Sequence, residues 1–267
     1  MRHEVIRLCK DDENVTLTTY VPLTRKKPSD ALLVIPGGGY SAVCADREGE
    51  SIAMAFAARG VHCFVLNYSV KEKAKFPRPL LEASLAMAYI REHAEEFGVD
   101  PERIFVCGFS AGGHLAGSLG ARWHTKEVNE AIDIPFGSNR PCGMILSYPV
   151  LSYFPKTHLG TFKNAFGTEQ PTEEQIEFCS LERNLSAEHT PPAFFWHTSD
   201  DPAVNVQNTL RVATALSEIG VKFEAHIFPH GPHGIALANE TTAANPSMID
   251  DRIAMWVDLA AGWMKTV

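Results

Sequence analysis

Ser110 stands in the pentapeptide Gly108-Phe109-Ser110-Ala111-Gly112, between the apolar run Ile104-Phe105-Val106-Cys107 and Gly113-His114-Leu115. A serine hydroxyl is a weak nucleophile at neutral pH. It attacks a carbonyl only with a base in hydrogen-bond reach and a third group orienting that base. A strand that runs through Gly-x-Ser-x-Gly into a helix holds the hydroxyl out of a sheet on a sharp turn, as a nucleophile elbow. Gly108 and Gly112 give strand and helix room to approach each other. The first N–H groups of the helix then point toward the reacting carbonyl. The pentapeptide alone occurs by accident; the strand before it and the helix after it give it meaning.

Two late turns offer the base and the acid. Phe195-Trp196-His197-Thr198-Ser199-Asp200-Asp201-Pro202-Ala203-Val204 ends an apolar run in an acidic turn, and Phe228-Pro229-His230-Gly231-Pro232-His233-Gly234 ends another in a histidine turn. Asp200 and Asp201 are adjacent, and on a turn only one of them can face the catalytic histidine. The pattern His-x-x-x-Asp-Pro-x-Val assigns the acid to Asp201, with Asp200 as the rival. His233, between Pro232 and Gly234 on a tight loop, is the expected base, with His230 as the rival. His226, His230 and His233 invite a zinc reading, but no acidic or cysteine partner stands at ligand spacing, so no metal is expected. No motif asks for a cofactor. His114, in the first turn after the serine, is expected to pack or cap.

An attacked ester carbonyl becomes an oxyanion that needs backbone donors. The N–H of Ala111, directly after the serine, is one candidate. Gly38 and Gly39 in Ile35-Pro36-Gly37-Gly38-Gly39-Tyr40 are two more, with Tyr40 a further one. A phosphate-binding loop is the other reading of these glycines, but no Lys-Ser/Thr or Gly-x-Gly-x-x-Gly accompanies them.

The positioning elements follow from periodicity. Strands are predicted at residues 15–21, 31–35, 61–67, 104–106, 143–148, 193–197 and 222–228. Helices are predicted at 48–59, with an Ile52/Phe56 face and Gly60 closing it, at 79–97 up to Gly98, after Ser110, and at about 206–219 and 248–263. Asp100-Pro101 is expected to turn the chain into the strand that carries the serine. Strands alternating with helices of this length imply an α/β fold with a parallel sheet covered on both faces. Residues 152–192 break the rhythm, being polar, rich in Phe, Thr and Glu, and without a strand pattern. Such a segment is usually an active-site cover or an excursion carrying its own helices. Phe154, Phe162, Phe166 and Phe178 are expected mainly as core contacts there, with a minority free to line a pocket.

Composition narrows the function class. The 267 residues carry a net charge of −8, which leaves no basic patch for a nucleic-acid partner or an anionic membrane. Charges interrupt the N-terminus throughout, and no apolar run reaches the length of a membrane span. The six cysteines are scattered without a Cys-x-x-Cys, so a reduced, cytoplasmic location is expected. Oligomeric state is not written in the sequence.

Taken together, the motifs resemble the esterase/lipase superfamily of α/β-hydrolases. They are most similar to the small esterases grouped with the bifunctional feruloyl/acetyl-xylan esterases. The likeness runs from about Ala31 to Trp263. It is carried by Pro36-Gly37-Gly38-Gly39-Tyr40, Asp100-Pro101-Glu102-Arg103-Ile104, the serine motif through Leu115, Thr190-Pro191-Pro192-Ala193 through Asp201, and Gly231-Pro232-His233-Gly234. The order Ser110, Asp201, His233 is the order of that superfamily. The resemblance implies one α/β-hydrolase domain over residues 1–267, with a mostly parallel eight-stranded sheet and a lid-like excursion at 152–192. It implies hydrolysis of short-chain acyl esters through an acyl-enzyme on Ser110. It also implies a small-molecule ester substrate, first of all a sugar O-acetyl ester on an oligosaccharide.

Two departures stand out: Pro36 occupies the place of the histidine in the His-Gly-Gly-Gly loop of lipases, and Val204-Asn205 replaces a frequent Val-Pro beside the acid, which predicts a looser turn. A serine peptidase or amidase, of the prolyl-oligopeptidase or arylformamidase type, shares the elbow, although no propeller-sized N-terminal domain is present. A binding module on this scaffold, as in gibberellin receptors, typically lacks the histidine that His233 supplies.

Overall fold

Strands buried on both faces of a sheet must be apolar throughout, and the central runs of this chain are. The computed structural model describes residues 1–23 and 28–267. Its strands are β1 (Val5–Arg7), β2 (Thr16–Tyr20), β3 (Ser29–Ile35), β4 (His62–Asn67), β5 (Val99–Phe109), β6 (Met144–Ser147), β7 (Ala193–Thr198) and β8 (Phe223–Phe228). They form one eight-stranded sheet in the order β1-β2-β4-β3-β5-β6-β7-β8. β1 and β2 run antiparallel to their neighbours, and every pairing from β4 to β8 is parallel. This is the α/β-hydrolase architecture that the sequence predicts.

Alternation along each strand divides the core into two halves. Leu33 and Ile35 of β3, Val106 of β5 and Phe195 of β7 face one layer, with helices Arg78–Glu92, Ala111–Arg122 and Gln207–Glu218 over them. Leu32, Val34, Phe105, Cys107, Phe109, Phe194 and Trp196 face the other, under helices Glu50–Ala57 and Trp256–Met264. Trp196 and Trp256 stack there at 5.0 Å and are fully buried. Each large apolar side chain so buried stabilises the fold by about 1.5–3 kcal/mol, so the sheet under the site is rigid.

The structure corrects several boundaries. β1 is an additional strand with no apolar run to announce it. Asp100 and Pro101 lie inside β5, where the register against β3 shifts between Ser29 and Ala31, an irregularity that accommodates a proline without an N–H. The helix expected at 48–59 is two pieces, Ala45–Glu48 and Glu50–Ala57, parted at Gly49. The helix expected at 79–97 breaks at His93 into Arg78–Glu92 and Ala94–Phe97, and Gly98 ends it with φ 67°. The last helix begins later than expected, as Asp251–Ala254 and Trp256–Met264.

Among the described residues, 152–192 contains no strand. It carries helices Leu159–Phe166 and Glu173–Cys179 and a short 3-10 turn at Leu181–Arg183. His158 caps the first helix, and Thr172 and Gln175 form a capping box on the second. Phe162 and Phe166 pack with Val150, Cys179 and Val204, with Phe178 half-buried against them. Phe154 is buried beneath the Arg211 guanidinium. Phe166 and Phe178 also line a cavity of about 230 Å³ with Phe76 and Pro77.

Candidate active site

At the carboxyl end of β5 the chain turns sharply. Ser110 adopts φ 53°, ψ −118°, a strained region that costs on the order of 1–3 kcal/mol and persists only where its surroundings fix it. The surroundings do so. Ser110 N–H donates to Ser147 O at 3.1 Å, and its carbonyl accepts from His114 and Val150. A β-carbon at Gly108 would lie 2.2 Å from Gly112 O, and one at Gly112 would lie 2.2 Å from Ile35 O. Any side chain at either position would push the helix off the sheet.

The structure brings Ser110, His233 and Asp201 together. Asp201 can only accept, so the 2.7 Å contact from His233 Nδ1 to Asp201 Oδ2 is an N–H donation. Nε2 is then the acceptor for the Ser110 hydroxyl, 2.8 Å away. Asp201 is held from behind by the N–H groups of Ala203 and Val204, both 2.8 Å from Oδ1. His197, at the end of β7, donates from Nε2 to Val204 O, and Nε2 also lies 3.4 Å from Asp201 Oδ2. Burial raises the Asp201 carboxyl, but the contacts with His197, His233 and the Val204 N–H outweigh it and hold the group well below the usual carboxylate range.

The rival residues lie elsewhere. Asp200 pairs with His230 at 2.9 Å on the outer side of the same turns, and His226 pairs with Glu224 at 2.8 Å. The three histidines thus engage three different carboxylates. His114 is buried, accepts from Tyr40 O–H at Nδ1 and donates from Nε2 to Cys179 O, both at 2.8 Å. It packs, as expected, and ties the glycine loop to the segment at 152–192. Burial pulls it down to about 4, against the hydrogen bond to Cys179. Asn205 Oδ1 accepts from Gln207 N–H at 2.9 Å just ahead of the next helix, so the turn is braced without a proline.

Beside Ser110 lies the loop leaving β3. Gly38, Gly39 and Tyr40 take φ of 125°, 62° and 57°, which turns their N–H groups away from ordinary strand pairing. The N–H groups of Gly37, Ser41, Ala42 and Cys44 are all bonded. Among the described residues, no acceptor engages the N–H of Gly38, Gly39, Tyr40 or Ala111. Gly38 and Gly39 are half-buried and open outward. His158 flanks this opening: its Cε1 would lie 3.9 Å from a β-carbon at Gly39. Its Nδ1 accepts from Thr161 N–H at 3.3 Å, which leaves Nε2 as the protonated edge. Asn164 donates to Gly39 O at 2.8 Å from the same helix.

One residue of the site escaped the sequence reading. Glu48 is 2% exposed and accepts from Gly37 N–H at 2.7 Å and Tyr148 O–H at 2.8 Å. The signal was present, since Glu48 precedes Ile52 and Phe56 at intervals of four and so falls on the apolar stripe of the helix predicted at 48–59.

The fold agrees with the comparison to known proteins. Residues 17–216 match the family model BD-FAE. The chain belongs to the BD-FAE family. It is 39% identical to endo-1,4-beta-xylanase B of Butyrivibrio fibrisolvens over 216 residues, 79% of this chain and 33% of that protein. It is 28% identical to an acetylxylan esterase of Xylanibacter ruminicola over 84% of this chain and 44% of that one. This BD-FAE chain therefore spans between a third and a half of the length of these relatives. It also superimposes on the crystal structure of an acetyl ester-xyloside bifunctional hydrolase from Caldicellulosiruptor lactoaceticus with TM-score 0.86 and 34% identity, covering 99% of this chain and 96% of that one. Its relatives and structural neighbours are carboxylesterases and hydrolases on the same fold.

Proposed function

We propose that this chain is a serine carboxylesterase for short acyl esters, with O-acetylated xylo-oligosaccharides as its natural substrate class. The observation that carries this reading is the relay from Asp201 through His233 to the Ser110 hydroxyl, beside backbone N–H groups that find no acceptor among the described residues. Ser110 Oγ attacks the ester carbonyl while His233 Nε2 takes its proton. The charge that develops on the carbonyl oxygen is met by the N–H groups of Gly38, Gly39 and Ala111, each worth about 100- to 1000-fold in rate. His233 then gives its proton to the departing alcohol, leaving the acyl group on Ser110. Water attacks that ester with its proton passing to Nε2, the acid departs, and Ser110 regains its hydroxyl. Asp201 fixes the imidazole tautomer throughout and stabilises the imidazolium.

The names of the relatives, an acetylxylan esterase and an acetyl ester-xyloside hydrolase, support the acetyl and xylan choice. Residues 152–192 serve as the cap over the site within one hydrolase domain. Among the described residues no helix is long and apolar enough to cross a membrane. The six cysteines are free, which supports a reducing cytoplasmic location and an imported oligosaccharide as substrate. Equal turnover of polymeric xylan and short oligomers would count against that last point.

Acetate release from acetylated xylo-oligosaccharides, compared between wild type and Ser110→Ala, tests the reading. We expect release by the wild type and a loss of at least about 10⁴-fold in the variant. No release from a preparation that still cleaves 4-nitrophenyl acetate would discard the sugar and keep the esterase.

A further inference from the structure

We propose that Glu48 is a positioning residue, a buried anion that holds the oxyanion loop and the histidine loop in register around Ser110. The proposal rests on the esterase reading above and goes beyond it, because Glu48 touches no reacting atom. Three separate pieces of chain meet at its carboxylate. Oε2 accepts from Gly37 N–H at 2.7 Å, which anchors the loop bearing Gly38 and Gly39. Oε1 accepts from Tyr148 O–H at 2.8 Å, just beyond β6. The Tyr148 oxygen in turn accepts from Ala236 N–H at 3.2 Å, three residues past His233. The Tyr148 ring also lies edge-on to the His233 imidazole, with centroids 5.1 Å apart.

The loop is wedged as well as tethered. A β-carbon at Gly37 would lie 2.8 Å from Glu48 Oε2 and 2.9 Å from Ser110 Cβ. The backbone thus passes between the carboxylate and the nucleophile with no space to spare. A displacement of Gly37 is transmitted to the next two N–H groups.

The charge state follows from the partners. Ala236 N–H occupies the Tyr148 oxygen as donor, so the phenol proton is directed at Glu48. A peptide N–H claims the other carboxylate oxygen. Both oxygens accept, the arrangement that suits the ionised form. Burial raises it, opposed by the Tyr148 and Gly37 hydrogen bonds and by the charges of Arg47 and His233. Arg47 Nε lies 4.0 Å away, and Cys44, Tyr68 and Cys107 are the other titratable groups that feel its charge. Such an anion is costly to bury, and its companions are the two loops that catalysis needs fixed.

Glu48→Gln keeps the shape but turns one acceptor into a donor and removes the charge. The experiment measures two things on wild type and variant: phosphonylation of Ser110 by a fluorophosphonate, and kcat and KM on 4-nitrophenyl acetate against pH. We expect labelling and kcat to fall about 10- to 100-fold with KM within about twofold, as for misaligned oxyanion donors. We also expect the acid limb of kcat/KM to move to lower pH, because the imidazolium loses an anionic neighbour. A merely structural glutamate would leave that limb in place. Unchanged labelling, kcat and acid limb in folded Glu48→Gln would overturn the proposal. Should that variant not fold, Tyr148→Phe carries the test with a smaller loss in the same direction. If neither folds, the network is structural only and the proposal fails. Labelling of wild-type Ser110 without ester turnover would overturn the esterase reading, while the labelling rates still judge Glu48. No labelling at all would overturn both.

Discussion

Two histidine–aspartate pairs bridge the same two turns, His233 to Asp201 at 2.7 Å and His230 to Asp200 at 2.9 Å. Distance does not separate them; burial does. Asp201 is 1% exposed and His233 22%, against 53% and 83% for the outer pair. The inner carboxylate is gripped by two backbone N–H groups and approached by His197, so it has one orientation. The outer carboxylate accepts from Gly231 N–H and from His230 in water, where solvent screens the pair and either side chain is free to leave. Only the inner histidine reaches a hydroxyl. A His–Asp contact becomes chemistry when its surroundings remove the alternatives.

The comparison can be broken by exchanging the acids' roles. Asp201→Asn should reduce kcat on 4-nitrophenyl acetate about 10⁴-fold, because the amide no longer enforces the tautomer with Nε2 as acceptor. A residual activity near wild type would mean the two pairs are interchangeable. His114 sharpens the contrast from the other side, as a buried histidine with no carboxylate. Its unfolded value near 6.5 falls to about 4 in the fold, so between those values the unfolded chain holds the proton that the native state refuses. Stability then rises with pH across that window, by on the order of 3 kcal/mol. His114→Gln, which can still accept from Tyr40 and donate to Cys179, should flatten the difference in urea unfolding between pH 6.5 and 4. An unchanged slope would show that other groups carry it. The smallest effect belongs to Asp200→Asn, expected to change kcat by about twofold or less, since its partner is exposed and solvent-screened. A loss comparable to that of Asp201→Asn would remove the distinction altogether.

What the sequence revealed was whatever is local. The elbow, the acidic turn and the histidine turn each fit within a dozen residues, and the buried parallel strands are continuous apolar runs. β1 was missed because Val5–Arg7 is a short edge strand with an exposed pattern and charged neighbours. The break at His93 was missed because the apolar stripe continues across it from Ile90 to Ala94 and Phe97, and the break at Gly49 because it falls at the very start of the predicted helix. Glu48 was legible only as an acid on an apolar stripe; its partners Gly37, Tyr148 and the Ala236 loop come from distant segments that only the fold brings together. The Asp200/Asp201 and His230/His233 ambiguities belong to the same class, since adjacent residues on a turn differ in direction, which composition does not encode.

The most direct test of the account is to mix the enzyme with 4-nitrophenyl acetate, quench in acid during the first turnover and map the acetylated peptide by mass spectrometry. The account predicts acetyl on the peptide carrying Ser110, accumulating at least as strongly in wild type as in any variant and absent from Ser110→Ala. Rapid turnover with no acetyl-serine, or acetyl on another residue with Ser110→Ala fully active, would contradict it.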